Sequence, residues 1–451
     1  MQRFRYILFV TVVTALGGIL FGYDTAVIAG AIGNLEKYFN LNPFQTGWAG
    51  ASAIIGCIPG AMVAGFLSDR YGRKKILLLS AVLYTISAIW SAIPQTLTEF
   101  IIARFIGGVG IGVSSMVCPT YIAEIAPEKY RGRLAALFQL GIVIGIFVVF
   151  FINMLIQQMG DEVWNLNSGW RWMLGSETLP AALFFFLLFL VPESPRWLLQ
   201  NRRENQARGI LNRMVGAEQA ERDIAAVKAV SGEEEGKFVE LFEPTWRKPL
   251  IIAIGLALFA QFSGINSIMY YAPEVFKSAG ATTDAAFTSS VWVGLINLIF
   301  TFVAIAYVDR AGRKILLVIG TFIQTLSLGY VGWKFYEGGG GVSLLIGVLA
   351  FVGAFSMAMG PVPWIMISEI FPGRIRGRAA SVGVLTIWVC CYIVAQTFPM
   401  LTDSIGAAKT FWIYALCSLA SLIFVIFYVP ETKGKTLEEI EMGWRSKSVG
   451  V

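Results

Sequence analysis

The chain has 451 residues, of which 56% are hydrophobic and only 14% charged, with a formal net charge of +6 and a mean hydropathy of +0.67. Soluble globular chains carry roughly 25% charged residues, so a water-soluble reading is excluded. Apolar stretches of about 20 residues, each able to cross a hydrocarbon core of about 30 Å, recur throughout. There is no histidine, which removes imidazole-based metal, triad and neutral-pH proton chemistry. Any proton this protein moves must ride on a carboxylate.

Twelve membrane spans are predicted, at about 6–28, 45–67, 76–94, 99–122, 133–157, 170–191, 248–272, 285–308, 315–335, 342–366, 379–402 and 409–429. The first is too long for a cleaved signal peptide and lacks a small-residue cleavage site. It contains LGGILFGYDTAVIAG (16–30), with Asp24 amid apolar and small residues and no base between Arg5 and Lys37. Span four carries Arg104, the one Lys or Arg well inside a span, followed by Gly107, Gly108, Gly110 and Gly112. Such glycines let a neighbouring helix approach closely. Asp24 falls near the outer third of its drawn span and Arg104 near the inner third, so their contact is not readable from the sequence. Glu177, in GSETLPA on span six, is a second intramembrane acid. It fits either a coupling path or a cytoplasmic ionic cluster. The polar segment 193–247, broken by Gly216, Gly232 and Gly236, reads as short amphipathic surface helices. The five cysteines (57, 118, 390, 391 and 417) all fall in apolar segments, with no metal or disulfide spacing, and read as small membrane-core residues.

Of the 35 Lys and Arg, 29 fall in the N-terminus, the loops that lead from even to odd spans, the central segment and the C-terminal tail. The opposite loops hold only five. By the positive-inside rule both termini and the central segment are expected to be cytoplasmic. The chain also repeats itself. SDRYGRKK (68–75) returns as VDRAGRKI (308–315), AEIAPEKYRGRLAA (123–136) as SEIFPGRIRGRAAS (368–381), and VPESPRW (191–197) as VPETKGK (429–435). Nearly constant offsets mean duplication of a six-span unit, the build of many secondary carriers. The expected organisation is a bundle at 1–192, a linker at 193–247, a second bundle at 248–433 and a tail at 434–451.

Gly72 and Gly312 permit tight reversals inside the repeated motifs, with acids and bases placed at helix ends. One candidate ionic latch comprises Asp69, Arg70, Arg73, Glu124, Arg131, Arg133, Glu193 and Arg196. Its counterpart comprises Asp309, Arg310, Arg313, Glu369, Arg376, Arg378 and Glu431. The competing reading, that these are topology signals, accounts for the bases but not for the duplicated acids.

These motifs, together with VPESPRW, PETKG and QFSGINSIMYY (261–271), resemble the sugar porter family of the major facilitator superfamily from about residue 10 to residue 440. The resemblance implies an all-α membrane protein of twelve transmembrane helices in two pseudo-symmetric six-helix bundles with a cytoplasmic helical linker. It also implies a central sugar site worked by alternating access. Sugars present hydroxyls on every edge and a flat apolar face, so their sites need amides and aromatic rings. Gln139, Gln261, Asn266, Asn297, Trp364 and Trp388 align with sugar-contacting positions of the family, and Tyr270 and Tyr271 resemble its extracellular gate. Amides inside a bilayer helix also serve as interhelical glue. Gln261 and Asn266 lie about 140° apart on an ideal helix, so a common face needs a break, which Gly264 can supply. Two departures from the family stand at Ala260 and Ile387, where an amide is usual. They point to weaker affinity for glucose or xylose, or to a different substrate such as a polyol or cyclitol.

In the proton-coupled members, the aspartate of the FGYD motif carries the proton and pairs with the arginine at the Arg104 position. An aspartate held by an arginine stays ionised, and one drawn into a low-dielectric cavity takes up a proton. The competing reading is a static pair that ties two spans together. The expectation is sugar uptake by proton symport, the substrate a monosaccharide such as glucose, galactose or xylose, in a bacterial inner membrane. No cofactor, ATP or nucleic acid is expected, and the carrier is expected to work as a monomer in the lipid bilayer. The alternatives are a uniporter, a polyol or cyclitol symporter, an exporter and a non-transporting sugar sensor.

Overall fold

The computed structural model describes residues 2–127, 130–230, 238–434 and 439–444. The side chain of Asp309, Lys435 of the VPETKGK repeat and most of the tail 434–451 lie outside the described residues. The described residues are helical throughout, without strands. The helices are α1 (Gln2–Phe39), α2 (Pro43–Tyr71), α3 (Arg73–Ala92), α4 (Leu97–Ile125), α5 (Arg131–Gln157), α6 (Glu162–Trp164), α7 (Trp170–Gly175) and α8 (Thr178–Leu188). A linker of α9 (Pro195–Gln200), α10 (Glu204–Met214) and α11 (Ala217–Val230) follows. Then come α12 (Pro244–Phe262), α13 (Ile265–Ser278), α14 (Thr283–Ala311), α15 (Arg313–Tyr336), α16 (Val342–Met357), α17 (Val362–Glu369), α18 (Gly373–Ile405) and α19 (Ala407–Tyr428).

Eleven of the twelve expected spans are helices, or helix pairs joined across a short break, that are long and apolar enough to cross a membrane. The sixth differs: it is split into α7 and α8, with Ser176 and Glu177 at the break. α4 starts where Thr96 accepts the backbone N–H of Glu99, while the Glu99 carboxylate accepts that of Gln95. This is capping of the kind that satisfies orphan donors at a helix start. Gly72 and Gly312, at φ 99° and 100°, make the reversals into α3 and α15. In the linker, Ser194 caps α9 by accepting the N–H of Trp197, and Trp197 and Leu198 pack with Ala207 of α10.

The chain divides into two compact units. One gathers the described residues of 1–31, 52–149 and 162–233; the other those of 32–51, 150–161 and 234–451. Within the first, α1 crosses α5 and α2 crosses α4 at paired Gly-x-x-x-Gly segments. A Cβ on Gly22 would lie 1.9 Å from the carbonyl oxygen of Ile142, and one on Gly145 2.1 Å from that of Ile19. A Cβ on Gly108 would lie 1.8 Å from the carbonyl of Ala53, and one on Gly56 2.1 Å from that of Phe105. Backbone therefore lies directly on backbone, which is how helices associate where lipid offers no hydrophobic drive. Gly108→Leu is expected to destabilise this unit by roughly 3 kcal/mol, the upper end for overpacking, because the clash is with rigid main chain. Thermal unfolding of the purified variant checks this; an unchanged midpoint would refute the close crossing.

In the second unit some glycines also lie on main chain, as Gly340 does on the carbonyl of Ala279, while three meet aromatic rings. Gly255 lies under Phe424, Gly264 under Tyr414 and Gly332 under Trp412, each 2.4 Å from a would-be Cβ. At one end of this unit Ile440 and Trp444 join a core with Leu241, Trp246, Val308 and Val429.

Candidate functional site

The intramembrane acid and base meet. α1 continues to Phe39 rather than ending near 28, so Asp24 sits close to the middle of its helix. Arg104 reaches it from α4, bonding through Nη1 to Asp24 Oδ1 and through Nη2 to the Asp24 carbonyl at 2.8 Å. Both residues are buried, Asp24 at 0% and Arg104 at 2% exposure. Gly107 makes room for them: a Cβ there would stand 2.3 Å from Ser87 Oγ and 3.1 Å from Asp24 Oδ2. The glycine run after Arg104 therefore serves two contacts, one with α2 and one with this polar cluster.

Glu177, at 1% exposure, belongs to the same cluster. Its carboxyl lies against that of Asp24 and within the field of Arg104. Of the alternatives left open by the sequence, proximity to Asp24 is the one observed. Tyr23 and Ser176, the residues immediately before the two acids, share a hydrogen bond of 2.7 Å. Tyr84 bonds Ser114 across α3 and α4 at 2.8 Å. Asp24 Oδ2, Glu177 Oε1 and Ser87 Oγ have no hydrogen-bond partner among the described residues. Buried polar atoms normally have one, so these three atoms mark the cluster as unusual. Tyr23, Ser176 and Ser87 escaped the sequence reading. The one signal for the first two is their position beside the acids.

The repeated motifs form two matching networks, each inside one unit. In the first, Arg73 grips Glu124 through Nε at 3.0 Å and Nη2 at 2.9 Å, and also pairs with Asp69 at 3.0 Å. The hydroxyl of Ser194 donates to Glu124 at 2.5 Å. Glu193 caps the start of α3 by accepting the N–H groups of Arg73 and Lys74. In the second, Arg313 donates to Glu369 at 2.9 Å, Thr432 donates to Glu369 at 2.6 Å, and Glu431 accepts the N–H groups of Arg313 and Lys314. Lys74 and Lys314 then cap carbonyls at the ends of α8 and α19, those of Phe189 and Ile426. Arg70, Arg131, Arg133, Arg196, Arg310 and Arg378 are exposed, and Arg376 turns back to the carbonyl of Phe371. The hydroxyls of Ser194 and Thr432 were missed, although both sit one residue after the motif glutamates.

The two capping glutamates differ electrostatically. Burial pushes Glu193 above the ordinary carboxylate value despite the N–H groups of Ser194, Lys74 and Arg73. Burial also pushes Glu431 up, but four backbone N–H groups outweigh it and hold the group below that value. The stabilisation from Glu431 is thus present above the ordinary carboxylate range and lost as pH falls through its lowered value. That tied to Glu193 is fullest below the range and is lost as pH rises through its raised value.

Gln139 is half-buried on α5. In the second unit, the expected break falls between α12 and α13 at Gly264, with φ 82°. It lets Asn266 donate to Gln261 at 2.5 Å. Asn297 accepts from Ser356 at 2.7 Å. Trp388 is buried beside Ile387 on α18, Ala260 is buried on α12, and Trp364, at 44%, is exposed on α17 after the break at Pro361. Tyr271 donates to the carbonyl of Ala395 at 2.9 Å and stacks obliquely on Phe398, while Tyr270 meets Cys391. The α1–α2 turn belongs to this unit. Gln396 donates to the carbonyl of Phe44 at 2.9 Å, and a Cβ on Gly50 would lie 2.3 Å from the Tyr271 hydroxyl.

Comparison with known proteins follows the same lines. A family model described as sugar (and other) transporter matches residues 10–444. The arabinose-proton symporter of Bacillus subtilis (strain 168) is 43% identical, over 97% of this chain and 95% of the relative. The D-xylose-proton symporter of Escherichia coli (strain K12) is 40% identical, over 98% and 96%. Among solved structures, the inward open conformation of the xylose transporter XylE from E. coli matches with a TM-score of 0.87 at 39% identity, covering 97% of this chain and 100% of that one.

Proposed function

The chain belongs to the sugar transporter family, with the twelve-helix fold of the major facilitator superfamily, and from that premise we propose that it takes up a monosaccharide together with a proton. The observation that carries the coupling is the buried Asp24–Arg104 pair with Glu177 beside it. Ionisable groups inside a span are costly and mark ion pathways. The names of the relatives, an arabinose-proton and a D-xylose-proton symporter, support the same reading and make pentoses the first substrates to try.

In this mechanism Asp24 alternates between two environments. Held by Arg104 it is an anion; moved off the guanidinium it takes a proton, because an isolated charge in low dielectric is unfavourable. Gln139, Gln261, Asn266, Asn297 and Trp388 are the proposed sugar contacts, with Trp364 at the α16–α17 break and Tyr270 and Tyr271 as the gate. Sugar binding would exchange the Asn266–Gln261 and Ser356–Asn297 bonds for bonds to hydroxyls. Each such exchange is worth about 0.5–1.5 kcal/mol net, so affinity rests on the number of contacts rather than on one. The two Arg–Glu networks, with Asp309 as the proposed counterpart of Asp69, are the proposed latches. The distribution of Lys and Arg supports a cytoplasmic position for both termini, the relatives support a bacterial inner membrane, and the carrier is taken to act as a monomer.

The test is uptake of labelled arabinose, xylose, glucose, galactose and inositol into proteoliposomes, with and without an inward proton gradient. Gradient-driven accumulation of one or more of the sugars is the expected result. Equilibration to the same level with and without the gradient would reduce the protein to a facilitator.

A further inference from the structure

Two hydroxyl groups stand directly before the two intramembrane acids, Tyr23 before Asp24 and Ser176 before Glu177, and they are bonded to each other at 2.7 Å. Ser176 also donates to the carbonyl of Met173 at 2.5 Å. Its single hydrogen is spent there, so Tyr23 is the donor and Ser176 the acceptor. We infer that this bond is the positioning element of the proton site: it holds the Glu177 carboxyl against Asp24. The inference rests on the reading that Asp24 carries the proton.

The backbone explains why such an element is needed. Ser176 and Glu177 lie between α7 and α8, where two local N–H bonds are long although Ser176 keeps a 2.9 Å bond to the carbonyl of Trp172. The N–H of Glu177 reaches the carbonyl of Leu174 at 3.4 Å, and that of Leu179 reaches Ser176 at 3.4 Å. Both are long against the usual 2.9–3.0 Å. The side-chain bond from Tyr23 is shorter than either and crosses 153 residues of sequence. It fastens the loose segment to the rigid helix that bears Asp24. Tyr23 is itself buried at 2% exposure. The other charged or titratable groups facing the two carboxyls are Arg104 from α4 and Tyr84 from α3, with Cys118 of α4 behind Tyr84. Arg104 fixes Asp24 and Tyr84 is engaged with Ser114. The Tyr23–Ser176 bond ties the segment of Glu177 to the segment of Asp24 through the residues beside the two acids.

Tyr23 and Ser176 therefore act through Glu177 and not on the sugar. Tyr23→Phe keeps the ring and removes only the donor; Ser176→Ala removes the acceptor. Each is expected to move the midpoint of the pH profile of gradient-driven sugar uptake to lower pH, by about half a unit or more, because a like-charged neighbour that favours a shared proton is no longer held in place. The double variant is expected to shift no further than either single one, since both remove the same bond. Sugar counterflow without a gradient is the internal control and should persist. A merely structural role would scale uptake down equally at every pH, and that outcome overturns the inference. So does a double variant whose shift is the sum of the singles. Asp24→Asn, run in parallel, separates the two levels. If it keeps the pH-dependent accumulation, the proton reading itself falls, and this inference with it. If it loses accumulation while Tyr23→Phe and Ser176→Ala both superimpose on the unmodified protein, the positioning role alone falls.

Discussion

Asp24→Asn is expected to abolish sugar accumulation driven by a proton gradient while leaving exchange of sugar across the membrane. An inward gradient of one pH unit supplies about 1.4 kcal/mol per proton, enough for roughly tenfold accumulation at one proton per sugar. Asparagine matches aspartate in shape, and its carbonyl still accepts from Arg104, but it cannot change charge. The bond from Arg104 Nη2 to the backbone carbonyl at residue 24 does not depend on the side chain and should survive. The variant should therefore equilibrate sugar to a ratio of one whatever the gradient. Measurement of internal label at steady state in proteoliposomes decides the matter. Retained tenfold accumulation would show that Asp24 is a structural tie and that the proton travels elsewhere.

The second large effect is on stability. Arg104→Met removes the cation bonded to Asp24 and leaves that carboxylate buried beside a second one, Glu177. Breaking a buried pair by deleting one partner costs about 3–5 kcal/mol, whereas replacing both partners by neutral groups of similar size is often close to neutral. Arg104→Met alone should unfold at a clearly lower temperature, and the deficit should shrink in acid, where protonation removes the uncompensated charge. Combined with Asp24→Asn, much of the loss should return although coupling does not. Thermal unfolding at pH 8 and pH 5 for both single variants and the double reads this out. Additive losses in the double variant would mean that the two residues do not act as a pair.

The sequence analysis reached the span count, the duplication and the break at Gly264 because each leaves a one-dimensional mark. Hydropathy, repeated words and a glycine between two amides are all visible along the chain. Depth was harder. The drawn end of the first span lay near residue 28 because polar Asn34, Glu36 and Lys37 follow, yet helical hydrogen bonding continues to Phe39. Asp24 and Arg104 consequently fell at different drawn depths, and their contact could not be read from the sequence. Glu177 was visible as an acid but could not be assigned to a neighbour, since Gly175 and Pro180, which flank the split between α7 and α8, read along the sequence as part of one continuous apolar span. The motif networks were half legible. The charges could be read, while Ser194 and Thr432, which complete the ligation of Glu124 and Glu369, look like any other hydroxyl residues in a list of letters. Hydroxyl partners are set by three-dimensional proximity, and nothing in spacing alone selects them.

Glycine is used in two ways in this chain, against main chain and against aromatic rings. Where Gly22, Gly56, Gly108 and Gly145 press against carbonyl groups, there is no side chain to swing aside and no slack to take up. Those helices translate together or not at all. Where Gly255, Gly264 and Gly332 lie under Phe424, Tyr414 and Trp412, a ring can tilt about its χ angles and admit a bend, and the same unit contains the breaks at Gly264 and Pro361. The first kind of contact resists sliding between its two helices, and the second leaves room for a bend. The same small residue therefore stiffens one crossing and eases another, according to whether main chain or a ring faces it.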